Sequence, residues 1–297
     1  MVPETLNTET LGIAPRASEL RRFYRVFFSR WLVTFGLVIM MVFIIVAIFA
    51  PQLAPFSPSE QELDQILVLP STHHLLGTDY LGRDTLSRLI FGARSSLMVG
   101  VVAVGIAAII GMTAGLTAGY FGGFVSTIIM RIVDALMAFP MILLALLISA
   151  LLGGGLKNVM IALGVALIPG YARLMCGMVL TTKESDYILA GRSLGISHVR
   201  QMFRHIVPNC LPPLIVLITM QIGVTVLAEA GLSYLGIGIT PPTPAWGAMV
   251  NDGYKYILSN PLISFVPGIA IMVVVFAFNM VGDGLRDALD PRLRGTL

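Results

Sequence analysis

ESDYILAGRSLGISHVRQMFRHIVP, Glu184–Pro208, stands between two long apolar runs, Val159–Thr182 and Ile206–Ala228. The segment is charged and punctuated by glycine, so it belongs in water, while the runs on either side belong in lipid. Ser185 or Asp186 can cap a helix running from Tyr187 to about Leu194. Gly195 suits the left-handed position that ends such a helix. Ser197 then caps a second helix through Ile206, and Pro208 marks entry to the next apolar run. The expected product is two short helices at an angle. The first exposes Ala190 and Gly191 beside Tyr187, Ile188 and Leu194, a small-residue knob shaped for a partner's groove. Arg192, Arg200 and Arg204 can pair with acidic groups there or with lipid phosphate. The candidate docking residues are therefore Asp186, Tyr187, Ala190, Gly191, Arg192, Leu194, Gly195 and Arg200. A membrane chain with such an element and no enzyme motif is expected to be one subunit of a larger assembly.

The rest of the chain is built for a bilayer. Of 297 residues 56% are hydrophobic and 12% charged, with a mean hydropathy of +0.88. So few charges could not cover a soluble domain. A spanning helix takes about 20 apolar residues. The runs predict six, near 31–50, 96–118, 135–153, 159–179, 209–230 and 263–282. They are continuously apolar, without the alternation of a barrel strand, and long apolar runs satisfy their backbone in lipid as helices. The fold class is all-α integral membrane. The domain reading is a tail over 1–30, a membrane domain over 31–290 and a short tail over 291–297.

Lys and Arg set the orientation. With the N-terminus inside, the inner segments hold fourteen, among them Arg16, Arg30, Arg131, Arg173, Lys183, Arg292 and Arg294. The outer segments hold five: Arg83, Arg88, Arg94, Lys157 and Lys255. Both tails and the loop over 183–208 are then cytosolic, and the loops over 51–94 and 231–262 are outside. The net charge of +3 reflects this asymmetry and is no sign of nucleic-acid binding. The first span is not a cleaved signal peptide, because about thirty residues precede it and it lacks the A-x-A spacing. Cys176 and Cys210 read as small buried residues, with no metal or disulfide pattern.

The outer loop over 51–94 opens with Pro51, Pro55 and Pro58, which forbid a continuing helix. Asp84–Leu97 suits a helix at the membrane surface leading into the second span. His73 and His74 read as solvated loop histidines. Gly111, Gly115, Gly119 and Gly123, each four apart, let another helix approach closely, in this chain or another. Leu20–Arg30 is a topology signal or an amphipathic helix on anionic lipid. The loop over 231–262, with amphipathic Trp246, is either a re-entrant or gating element or a plain turn.

No phosphate-loop pattern G-x-x-x-x-G-K-[ST] occurs, nor H-E-x-x-H or G-x-S-x-G, so the chain reads as a non-enzymatic subunit. Glu229, at the outer end of the fifth span, should face protein or water. It and Asn279 are candidates for lining a pathway or for packing. Arg131 and Asp134 are spaced for an i,i+3 pair. Asp283, Asp287 and Asp290 oppose the dipole at the end of the last span and need an offset, from Arg286 and Arg292 or from a neighbouring surface. The sixteen methionines are helix-packing filler, or in part the lining of a permissive pathway.

The loop over 183–208 resembles the EAA loop of bacterial ABC importer permeases, E-A-A, three residues, G, nine residues, I-x-L-P. Here the register is Leu189-Ala190-Gly191, then Gly195, then His205, Val207 and Pro208. The second Ala, the Gly and the Pro match; the Glu, the third-position Ala, the Ile and the Leu do not. Four further stretches are similar to the dipeptide/oligopeptide/nickel branch (DppC/OppC-like): His74–Arg88, Pro241–Val250, Ala277–Leu293 and Phe203–Asn209. The outer-loop residues in this pattern are Gly77, Asp79, Gly82, Arg83, Asp84 and Trp246. The resemblance covers nearly the whole chain from about residue 25.

It implies a bacterial or archaeal cytoplasmic-membrane permease subunit for di- or oligopeptides. A second related permease would complete a heterodimeric pore, two cytosolic ATPases would bind the ATP and Mg, and an external binding protein would deliver substrate. The first helix of the loop would be the coupling helix. A nickel or nickel-chelate importer is the alternative within the branch. An ion-coupled secondary transporter is the alternative of another class, but it would want several intramembrane acids or matched halves. A membrane anchor or sensor without transport is the third.

Overall fold

The computed structural model describes residues 19–289. The expectations for the outer parts of both tails, including Arg16, Asp290, Arg292 and Arg294, lie outside the described residues. Among the described residues the fold is all helical, with one isolated bridge between Thr78 and Asp84.

A short helix, α1 (Glu19–Phe27), leads into α2 (Trp31–Ile48), and a single turn, α3 (Ala50–Leu53), ends the first span. Then come α4 (Thr85–Phe121), α5 (Gly123–Met137), α6 (Met141–Leu152) and α7 (Leu156–Lys183). Two short helices, α8 (Asp186–Ser193) and α9 (His198–Gln201), precede a π-turn at Met202–Ile206 and α10 (Val207–Tyr234). The chain closes with α11 (Trp246–Tyr254) and α12 (Leu262–Leu289).

Five helices are long and apolar enough to cross a membrane, or six if the bent pair α5–α6 counts as one span. That pair corrects the expected straight span over 135–153. Its halves meet at 89°. Pro140 is the cause: it lacks an N–H, and its ring disfavours helical geometry in the residue before it. The 12 residues of α6 rise only about 18 Å, too little for a ~30 Å hydrocarbon layer.

The second span also differs. Thr85–Leu97 is not a separate helix but the first part of α4, with Asp84 as its N-cap. No breaker separates Arg94 from Ser95, so the helix runs on for 37 residues, about 55 Å. That exceeds a ~30 Å hydrocarbon layer, and its first turns carry Arg88 buried against protein.

α4 and α7 form the spine. Gly111, Gly115 and Gly119 all face α7. A methyl added at Gly111 would meet Tyr171 Cβ at 2.6 Å, and one at Gly119 would meet Val179 Cβ at 2.8 Å. The partner of the glycine row is therefore in this chain. Gly123 is not part of the row, because it begins α5 after the chain turns at Gly122. α10 and α12 pack beside the spine, and α2 lies on α12, with Gly36 against Met280. The expected Arg131–Asp134 pair does not form. Arg173 reaches from α7 to α5, its Nη2 2.6 Å from Asp134 Oδ1, and so takes the carboxylate. At the end of α12, Asp287 is offset by Arg30, 3.0 Å away at the start of α2.

Candidate functional site

Residues 183–208 build a compact projection at one end of the bundle. α8 ends as its sequence predicts. Gly195 has φ +75°, Ile196 N–H donates to Gly191 C=O, and Gly195 N–H donates to Arg192 C=O, a Schellman closure. The capping differs from expectation. Ser185 takes the cap position, but its hydroxyl donates back to Thr182 C=O at 2.7 Å. Ser197 likewise makes no side-chain cap.

The exposed face of α8 also differs. Ile188 is 1% exposed and Gly191 is buried, so both point into the protein and not toward a partner. Gly191 packs on Ile196, and Ile188 joins an apolar cluster with Leu116, Tyr171, Met175 and Ile206. Asp186, Tyr187, Ala190, Arg192, Leu194, Gly195 and Arg200 are exposed, Leu194 by 82%. Tyr187 is additionally tied to α10, its hydroxyl accepting from Asn209 Nδ2 at 3.1 Å. The exposed apolar tip thus includes Tyr187, Ala190 and Leu194, flanked by two arginines.

The second helix does not stand alone. α9 runs through the π-turn straight into α10. In a regular helix the ring of Pro208 would clash with the carbonyl of Arg204; the widened turn relieves this. Asn209 Nδ2 satisfies His205 C=O at 2.7 Å.

Sequence reasoning missed the residues that hold this projection. Gln201 is 1% exposed. Its Nε2 donates to Ile188 C=O at 2.7 Å, and its Oε1 accepts from Tyr120 O–H at 2.7 Å. Tyr120 also meets His198 Nδ1 at 2.8 Å. Lys183 Nζ donates to Gly119 C=O at 3.1 Å. No local pattern singles these out, because the partners are up to 81 residues apart.

Between α7, α10 and the end of α12 opens a groove of about 570 Å³, lined mainly by Leu174, Met178, Pro212, Pro213, Met220 and Arg286. A second, of about 380 Å³, runs between the α5–α6 bend and α7. Glu229 and Asn279 line neither. Glu229 is fully buried and accepts from Ser96 Oγ at 2.9 Å and Ser233 Oγ at 2.7 Å. Ser233 Oγ in turn accepts from Ile239 N–H at 3.0 Å, so the carboxylate ties α4, α10 and the following loop together. Asn279 Nδ2 donates to Val275 C=O within α12.

The structure brings the outer-loop residues together at the opposite end. Asp79 is buried and accepts from the backbone N–H of Leu81 and Arg83 and from Arg83 Nε at 2.7 Å, with Arg88 Nε at 3.4 Å. Gly77 and Gly82 take φ of +73° and +72° where the loop presses on the carbonyls of Val68 and Glu62. Asp84 caps α4, accepting from Ser87 N–H at 2.7 Å, and its other oxygen holds His74 Nδ1 at 2.9 Å. His74 is buried, not solvated as expected, since a buried capping carboxylate needs a partner. Trp246 is fully buried across Gly92, with Nε1 donating to Leu89 C=O at 3.0 Å. The loop over 231–262 is thus folded onto α4 and is no plain turn.

Asp252 faces Arg83 at 3.9 Å, yet burial pushes its carboxyl up, outweighing Arg83 and Arg88. Asp252→Asn should therefore leave stability near wild type. Its folded state disfavours the charge, so whatever the neutral acid contributes is present below the usual carboxylate range and is lost as pH rises from there through the raised folded value. Asp79→Ala should cost about 3–5 kcal/mol, because Arg83 and Arg88 would be left as buried cations. Thermal melts of the detergent-solubilised protein at neutral pH would compare the two; equal losses would overturn the assignment of roles.

A multi-pass membrane subunit with a polar helical projection at one end is the class that this fold defines. The chain matches the model of binding-protein-dependent transport system inner membrane components over residues 111–295 and that of the N-terminal TM domain of oligopeptide transport permease C over 18–70. It belongs to the binding-protein-dependent transport system inner membrane components, as a multi-pass inner-membrane permease subunit. It is 43% identical to the dipeptide transport system permease protein DppC of Alkalihalophilus pseudofirmus, over 87% of this chain and 85% of that one. Identity is also 43% to the di/tripeptide permease protein DppC of Pseudomonas aeruginosa, over 93% of both chains. The glutathione transport system permease protein GsiD of Escherichia coli is 43% identical over 92% of this chain and 90% of its own. In fold it is similar to a chain of the inward-facing MetNI methionine ABC transporter, with TM-score 0.57 and 20% identity, over 69% of this chain and 97% of that one. Family membership implies an ATPase and a binding protein as partners.

Proposed function

We propose that this chain is one half of the translocation pore of an ATP-driven importer of di- or oligopeptides. The observation that carries the reading is α8, a short helix closed by Gly195 that offers Tyr187, Ala190 and Leu194 to the solvent at one end of a permease bundle. The excess of Lys and Arg puts that end in the cytosol. An ATPase would seat its groove on this tip, with Arg192 and Arg200 meeting acidic groups at the rim. The loops over 51–94 and 231–262 face the binding protein, and the membrane domain extends over 31–290. The 570 Å³ groove between α7, α10 and α12 would be closed by a second related permease, and Met178 and Met220 would give it a lining that adapts to varied side chains. The peptide substrate rests on the relatives, which transport dipeptides, di- and tripeptides and glutathione.

Affinity purification of the tagged chain from native membranes, followed by mass spectrometry, should recover a second permease and one or two phosphate-loop ATPases. Proteoliposomes holding that complex should take up labelled Ala-Ala when supplied with ATP and the binding protein. A stable homo-oligomer recovered alone would refute the reading.

A further inference from the structure

We infer that Tyr120 and Gln201 are positioning residues that clasp the docking helix to the α4–α7 spine, so that a push on α8 moves the spine directly. The inference rests on the docking role proposed for α8 and adds the route by which its motion enters the membrane.

Besides the chain itself and the exposed Tyr187–Asn209 hydrogen bond to α10, α8 has two physical connections to the bundle. One is apolar: Ile188 is sunk among Leu116, Tyr171 and Met175. The other is a relay of hydrogen bonds. With Tyr120 O–H donating to Gln201 Oε1, its oxygen is left to accept from His198 Nδ1–H, and Gln201 Nε2 donates to Ile188 C=O. The relay joins the last turn of α4, the start of α9 and the middle of α8. Gln201 sits at its centre, buried, where an amide cannot exchange its partners for water without opening the site. Lys183 adds a cation at the C-terminal end of α4, on Gly119 C=O, where the helix dipole favours it.

The covalent route from α8 back to α7 is a two-residue link, Glu184–Ser185, whereas the route onward to α10 is interrupted. Between α9 and α10 lies the π-turn at Met202–Ile206, the widened place in an otherwise continuous helix. α4, by contrast, is held to α7 by three glycine contacts without an intervening break. Displacement of α8 is therefore delivered to α4 and α7 together, while α10 is reached through the π-turn, the exposed Tyr187–Asn209 bond and the shared apolar cluster. Two arrangements of a packed element, biased from one end, are what a coupling device requires.

The test uses the whole complex with its partner permease, ATPases and binding protein, in proteoliposomes, with labelled Ala-Ala as the probe. Tyr120→Phe removes one hydroxyl, and Gln201→Leu removes both amide bonds at similar volume. Each should leave the complex assembled and ATP hydrolysis within about twofold of wild type, while peptide imported per ATP falls about tenfold, within the usual range of coupling between sites. The double variant should be no worse than Gln201→Leu alone, since both cut one path. Wild-type peptide per ATP in both variants overturns the clasp, and so does a loss that appears only where the ATPases have dissociated. Failure of the docking reading itself shows separately, in a Leu194→Cys variant with Tyr120 and Gln201 intact, as the absence of any cross-link to an ATPase.

Discussion

Ala190→Trp should abolish peptide uptake while the protein stays in the membrane at normal level. Ala190 is exposed on α8, and the buried side of that helix is formed by Ile188 and Gly191, so an indole at 190 points away from the fold. Nothing within the chain has to move. A groove fitted to a methyl would, however, have to admit a side chain of several times the volume. Overpacking of a fitted contact costs about 1–3 kcal/mol and often more. At 1.4 kcal/mol per tenfold, the docked fraction falls by about one to two orders of magnitude. Gly195→Pro should give the same loss by another cause. The position needs φ +75°, and proline is locked near −65°. Ala190→Ser is the control and should transport normally. Labelled-dipeptide uptake in cells, with membrane levels from immunoblots, separates the outcomes. Normal uptake by a well-inserted Ala190→Trp variant would remove α8 from the docking role.

The contrast between Ala190 and Gly191 shows what could be read in the sequence. The existence of α8, its end at Gly195 and its polarity are local properties, fixed by capping and turn chemistry within a few residues. Which face of an eight-residue helix is buried is not local, because it depends on where Ile188 finds its cluster. The same division runs through the membrane domain. Apolar length placed the spans, since lipid demands it of every crossing. It missed the 89° bend at Pro140, because a proline in an apolar run is as compatible with a kink as with a break. The motif residues Asp79, Arg83, Asp84 and Trp246 stood out by resemblance, while their common purpose, a packed cap over the start of α4, became visible only when the two loops were seen together. Tyr120 and Gln201 left no signal at all, being ordinary residues that meet across the fold.

Gly115→Leu should remove the folded protein altogether. In lipid, helices are not driven together by water, so their association depends on close packing and small residues at the seam. Gly115 lies where a side chain would collide with the backbone of Ala172 and come within 2.9 Å of Met175 Cβ. Backbone cannot turn aside as a flexible side chain can, so α4 and α7 must separate along their length. Separation would also strip the contacts at Gly111 and Gly119, which share the seam. The variant should accumulate at a few per cent of wild type and elute as aggregate on gel filtration in mild detergent. Gly105→Leu tests the reasoning on the same helix. Gly105 has no atom within 4 Å of its added Cβ, and glycine costs about 1 kcal/mol against good helix formers in a helix interior. That variant should accumulate normally and melt at or above the wild-type temperature. If Gly115→Leu behaved like Gly105→Leu, the α4–α7 seam would not be the element that holds the bundle, and the rigid spine assumed for the clasp would go with it.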